Sequence, residues 1–208
     1  MLPMPKTKIA VYNEKGRVGK TPLALEVALR FGYNYATNQN RPRKDIEAII
    51  PEGEFLQVGP GEAFPALDAD FPVVFDLAGE LVGYERSIIS ALEQAELIIV
   101  PVVNEPDALM GTAYAITELK TLDTITAPFV VVATMLKKPE EAEEVEAQLW
   151  PMLGHEVAIV PIRYSKAFDR ILSEGVPVQR LVAQGGLWGW SFRNVARELE
   201  VLMSFITK

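Results

Sequence analysis

The chain has 208 residues, 49% of them apolar, no cysteine and a formal net charge of −8. A chain of this length forms one domain, 1–208, that buries about 70% of its unfolded surface. The lack of cysteine excludes disulfides, thiolate metal sites and iron–sulfur clusters. The acid excess argues against indiscriminate nucleic-acid binding, but it is uneven. Residues 1–44 carry nine Lys/Arg against two acids, and residues 163–208 carry seven against four. Lys6 and Lys8 interrupt the N-terminus before a leader's apolar core can form, and the longest apolar runs are only strand length. A cytoplasmic protein with no membrane attachment is expected.

Residues 8–25, KIAVYNEKGRVGKTPLAL, carry the strongest signal. An apolar run, Ile9 to Tyr12, leads into a Gly-punctuated loop ending Gly19-Lys20-Thr21. A helical pattern over 23–31 follows at once, with Leu25, Ala28 and Leu29 on one face and Gly32 as its C-cap. Strand, loop and helix in that order gather backbone N–H groups and a helix N-terminus around one point, which makes an anion site. In a phosphate-binding loop of this kind Lys20 supplies the point charge for β- and γ-phosphates and Thr21 a hydroxyl for Mg²⁺. Pro22 is tolerated there because the first helical turn needs no N–H at that position. Arg17 adds a Cβ and another cation to the loop. The alternative is a Gly-rich turn with ordinary surface lysines.

Residues 33–37 then read as a short strand and 38–42 as a loop. Residues 45–70 resist assignment: 46–50 and 55–58 are short strands or helix fragments, divided by Pro51-Glu52-Gly53 and Gly59-Pro60-Gly61. Residues 72–76 form an apolar strand closing on Asp76, with Gly79 three positions on. An acid at such a strand end holds Mg²⁺ through water, and the glycine N–H can approach a γ-phosphate. Taken alone, Asp76 would read as a helix cap. Helices follow at 87–94 and 107–119, around a continuous apolar strand, 97–103, of the kind covered on both faces. A strand at 129–134, an acidic solvated helix at 137–149 and a strand at 157–162 come next. Ser191 is expected to cap a final helix whose stripe of Phe192, Val195, Leu199, Leu202 and Ile206 packs on the sheet. Trp150, Trp188 and Trp190 read as packing or interface residues and His155 as a loop residue. Strands alternating with helices give an α/β fold, a mostly parallel twisted sheet with helices on both faces and its ligand at the carboxyl ends of the strands.

Lys15-Gly16-Arg17-Val18-Gly19-Lys20-Thr21 resembles the deviant Walker A box, KGGxGK[ST], of the ParA/MinD family of partition and positioning ATPases. The common form, GxxxxGK[ST], wants a glycine at Glu14. Residues 95–106 are similar to the family's ADLVLIPVQPS strand and loop, and 161–178 to its R…F.EA…G.PV segment. The resemblance covers most of the chain, is to the small type of ParA, and implies a P-loop NTPase fold. It implies nucleotide contacts from Lys15, Gly16, Arg17, Val18, Gly19, Lys20, Thr21, Pro22 and Gly79, with Mg²⁺ held by Thr21 and Asp76. Lys15 would reach across a dimer interface to the partner's nucleotide. The base would pack beside Thr134, Pro161 and Ile162.

One position departs from the pattern. The family's second strand ends in an Asp-rich switch that helps position the attacking water, whereas residues 37–40 here are Thr-Asn-Gln-Asn. Asn38 is left as the water-orienting candidate, unless Asp45 or Glu47 takes the role after a shift. An amide orients water but cannot accept its proton, so hydrolysis is expected to be slow.

The resemblance therefore implies an ATP- and Mg²⁺-dependent weak ATPase that dimerises with ATP and acts in plasmid or chromosome partition, paired with a centromere-binding adaptor protein. Lys15, Lys20 and Asp76 would be its catalytic residues. Arg163, Lys166, Arg170, Arg193 and Arg197 form a candidate patch for non-specific DNA. Two alternatives stand beside it: a nucleotide-binding scaffold with little hydrolysis, and a P-loop enzyme acting on a small metabolite.

Overall fold

The computed structural model describes residues 5–39, 44–79, 82–155 and 157–208. In chain order the elements begin with β1 (Lys8–Val11), α1 (Lys20–Phe31), β2 (Asn34–Thr37), α2 (Lys44–Ile49), β3 (Phe55–Gln57) and β4 (Val73–Asp76). They continue with α3 (Glu85–Gln94), β5 (Leu97–Val103), α4 (Pro106–Leu119), β6 (Phe129–Leu136) and α5 (Glu140–Leu153). The C-terminal part holds β7 (Ala158–Arg163), α6 (Ala167–Glu174), α7 (Val178–Ala183), α8 (Gly186–Ser191) and α9 (Arg193–Ser204).

The strands form one seven-stranded sheet in the order β3-β2-β4-β1-β5-β6-β7, with every ladder parallel. Its strands are apolar at consecutive positions because alternate side chains enter two separate cores. Ile9, Val11, Tyr35, Val74, Ile99 and Val132 face the layer holding α1, α6, α7 and α9. Ala10, Ala36, Phe75, Ile98, Val100 and Val131 face the layer holding α3, α4 and α5. Adjacent strands β1 and β4 thus send their following helices to opposite faces. A crevice opens at their carboxyl ends, where ligands bind in open α/β sheets.

Several expected boundaries move. The first helix starts at Lys20, not at 23, so Lys20, Thr21 and Pro22 form its first turn. Residues 44–49 are helical and 55–57 pair as the edge strand, where elements this short carry too little periodicity to read. The acidic helix runs on through Pro151 to Leu153, with Val145, Leu149 and Leu153 as its buried stripe. Ser191 does not cap the last helix: it ends α8, and its hydroxyl donates back to the Trp188 carbonyl at 2.8 Å. Gly189 explains this placement, since a Cβ there would meet the Val182 carbonyl oxygen at 2.8 Å. The missing side chain lets α8 lie flat on α7. Trp188 and Trp190 remain exposed, whereas Trp150 is partly covered, with its ring 4.9 Å from that of His155.

Candidate nucleotide site

Asn13, the first residue past the Tyr12 end of the apolar run, anchors the loop. Its buried amide donates to the Pro101 carbonyl and to Thr112 Oγ1, both at 2.8 Å, and its Oδ1 accepts the Lys15 N–H at 2.8 Å. The loop then curls with Arg17 in the left-handed region (φ 64°), which explains why a glycine suits that position. Gly19 follows at φ 91° as the N-cap residue of α1. The first turn of α1 therefore points its free N–H groups into the loop's concavity.

Lys20 is nearly buried, and its ammonium donates to the Asn13 and Lys15 carbonyls at 2.8 Å each. Burial lowers its pKa, with the charge of Asp76 opposing the shift. Thr21 Oγ1 donates to Asp76 Oδ2 at 2.7 Å, and the same oxygen accepts from the Tyr35 hydroxyl at 2.6 Å and the Gln39 amide at 2.9 Å. Among the described residues Asp76 Oδ1 is buried with no partner. Burial raises the Asp76 carboxyl above its ordinary range, while the Tyr35 and Thr21 hydroxyls and Lys20 pull it down. Burial also pushes the Tyr35 phenol well up, which keeps it a donor.

These residues surround a cavity of about 660 Å³ lined by Gly16, Arg17, Gly19, Lys20, Thr21, Pro22 and Gly79, together with Glu14, Gln39, Ala78 and Tyr84. A volume of this order accepts a small-molecule ligand. The groups present fit a phosphate chain with a hard cation: the loop, the Lys20 ammonium and the Thr21 hydroxyl line the cavity, and the buried Asp76 carboxylate sits directly behind Thr21. Thr21 and Asp76 are the residues that would hold the metal.

The remaining candidates separate. Lys15 is exposed and does not line the cavity, and Val18 is buried beneath the loop. Asn38 is fully buried, with Nδ2 donating to Ser87 Oγ and Oδ1 accepting the Ala78 N–H, at 2.8 and 2.7 Å. Its amide is consumed in tying β2 to α3, and the neighbouring Gln39 reaches the cavity instead. The Asp45 side chain lies outside the described residues. Thr134 Oγ1 donates to the Val18 and Val102 carbonyls at 2.9 and 3.1 Å, so it buttresses the loop from behind. Ile162 is in the core, and Pro161 faces a separate cavity with Lys137, Lys138 and Glu198. The apolar recess that does adjoin Gly19 and Pro22 is lined by Thr134, Met135, Tyr164, Ser165 and Phe168.

The five basic residues do not form one free cationic face. Arg163 is paired with Glu198 at 2.7 Å, and Arg170 with Glu174 at 2.6 Å while lying over the Trp188 ring. Arg193 and Arg197 share a shallow pocket beside Glu200, and Lys166 is exposed. Asn13, Tyr35 and Gln39 are among the site residues that sequence reading passes over, with Glu14, Ala78 and Tyr84 of the cavity wall. A polar residue closing an apolar strand was the one available signal, and it applies to Asn13 alone.

A parallel sheet with a Gly-rich loop after β1 and a buried acid ending the adjacent β4 is the P-loop NTPase fold. No protein-family model and no curated sequence matches the chain. Among solved structures, those it matches include ParA/MinD ATPases. A plasmid partition protein from Borrelia burgdorferi B31 bound to AMPPNP is 13% identical, with a TM-score of 0.62 over 96% of this chain and 99% of that one. A variant of McdA from Cyanothece in complex with ATP is 11% identical, with a TM-score of 0.57 over 95% and 98%. MinD from Pyrococcus horikoshii, complexed with Mg-ADP, is 17% identical, with a TM-score of 0.54 over 96% and 98%. The chain thus has the fold of ParA/MinD ATPases along nearly its whole length. No described helix is long and apolar enough to cross a membrane.

Proposed function

We propose that the chain is a ParA/MinD-type switch that binds ATP with Mg²⁺ in the cavity between the loops after β1 and β4, and dimerises around it in partition or intracellular positioning. The observation that carries this reading is the convergence of Lys20, Thr21 and Asp76, with Thr21 Oγ1 2.7 Å from a carboxylate whose other oxygen is buried and unpartnered. On binding, the Lys20 ammonium leaves the Asn13 and Lys15 carbonyls for the phosphates, and the amides of residues 16–21 hold the chain of oxygens. When bound, Mg²⁺ neutralises charge developing on the β- and γ-phosphates. Lys15, exposed on the outer side of the loop, is assigned to the nucleotide of a partner subunit, where it neutralises charge as the dimer closes.

The partition role, with an adaptor protein and DNA, is supported by the fold shared with a plasmid partition protein. Slow turnover is part of the proposal. Among the described residues the cavity holds one carboxylate near the loop, Glu14, and an amide, Gln39, where an acid would act as base. Binding of ATP, measured calorimetrically with and without Mg²⁺, tests the core of it. Lys20→Ala should abolish binding, and Lys15→Ala should keep it.

A further inference from the structure

We propose that Tyr35 is a positioning residue for the metal carboxylate: its hydroxyl fixes the orientation of Asp76 beside Thr21, whose hydroxyl donates to the same oxygen. The inference rests on the magnesium site assigned above. Tyr35 and Thr37 point to one side of β2, and the ladder sets Tyr35 opposite Val74 and Thr37 opposite Asp76. Tyr35 therefore lies diagonally across from Asp76, two residues away, a distance a phenol spans and a shorter donor does not. Its hydroxyl donates to Oδ2 at 2.6 Å in a fully buried setting, with its ring stacked on Phe55 at 5.9 Å and an interplanar angle of 9°.

Among the described residues three donors, from Tyr35, Thr21 and Gln39, crowd Oδ2, and none reaches Oδ1. A carboxylate offers about four lone-pair positions, two on each oxygen. Oδ2 is therefore saturated, and the carboxylate is held in one orientation beside Thr21. The three donors are not equivalent. Thr21 has its own oxygen assigned to the metal, and Gln39 is a half-exposed loop residue also within 3.4 Å of Thr21 Oγ1. Tyr35 is held in a strand and clamped by an aromatic ring, so it is the donor that stays when the other two rearrange.

ATP affinity measured in EDTA and in excess Mg²⁺, with Mn²⁺ bound to the ATP complex counted by electron paramagnetic resonance, tests the inference. Tyr35→Phe should leave the metal-free ATP affinity within about twofold of wild type and lower metal affinity severalfold, less than the about 10- to 100-fold that loss of an outer hydrogen bond to a direct ligand brings, because Asp76 acts through water. Phe55→Leu, which keeps the phenol and removes its stacked ring, should give a smaller loss of the same kind. Gln39→Leu should change metal affinity less than Tyr35→Phe. Unchanged metal affinity in both Tyr35→Phe and Phe55→Leu, or equal loss in EDTA and in Mg²⁺, overturns the positioning role while leaving the proposed function intact. A wild-type chain whose ATP affinity ignores Mg²⁺ overturns the proposed function and this inference together.

Discussion

Gly79 and the Glu14 carbonyl meet with no room for a side chain between them: a Cβ on Gly79 would lie 2.5 Å from that oxygen and 3.0 Å from the Lys20 ammonium. The loop after β4 therefore rests directly on the loop after β1, and a shift in one moves the other. Gly79→Ala must separate two backbones, which costs about 1–3 kcal/mol as over-packing does. It should also weaken ATP binding at least tenfold. Gly59→Ala is the control, since its nearest neighbour is the Glu62 carboxylate at 3.4 Å, the far end of a flexible side chain. Calorimetry and thermal melts on the two variants separate the effects.

Asn13 holds the entry of the same loop through three hydrogen bonds, to Pro101, Thr112 and Lys15. Asn13→Ala leaves buried partners unsatisfied, at about 1–3 kcal/mol. For a chain of this size each 1 kcal/mol lowers Tm by roughly 2–4 °C. ATP binding should weaken as well, because the loop loses its attachment to β5 and α4. A Tm within 1 °C of wild type, on the order of the smallest shift that scale resolves, would contradict this role.

Glu26 gives the fold a pH dependence outside the site. It is fully buried in α1, with Oε2 accepting the Val178 N–H at 2.9 Å and Oε1 unpartnered. Burial raises its carboxyl from 4.5 to about 7, against the Val178 hydrogen bond and Arg30, with Glu200 adding to the rise. A group whose folded pKa is raised stabilises the fold fully below its unfolded pKa and loses that stabilisation as pH rises through the folded value. Stability from this residue is therefore present near pH 4.5 and lost by about pH 8. Glu26→Gln should match wild type at the acid end and exceed it by up to roughly 3 kcal/mol at pH 8. Denaturant titrations at the two pH values check it.

What could be read from the chain was local. The strand, loop and helix around Lys20 and the apolar strand closing on Asp76 each lie within a few residues, so composition and spacing exposed them. Tyr35 and Asp76 are 41 residues apart, and Asn13 and Thr112 are 99 apart. Those pairs depend on strand order and register, which no local pattern encodes. The surroundings of Ile162 and Asn38 are hidden in the sequence for a related reason. A strand that is apolar on both faces hides which side each residue takes, so the sequence does not show that Ile162 lies in the core. Asn38 and Gln39 differ only in which of two adjacent directions they point.

The most direct test is the mass of the chain in solution, by light scattering, with Mg²⁺ and a non-hydrolysable ATP analogue. Wild type should shift from 23.0 kDa to twice that value. Lys20→Ala should stay monomeric for lack of nucleotide, and Lys15→Ala should bind the nucleotide and still stay monomeric. A Lys15→Ala variant that doubles its mass as wild type does, or a wild-type chain that remains at 23.0 kDa with its site saturated, would contradict the account.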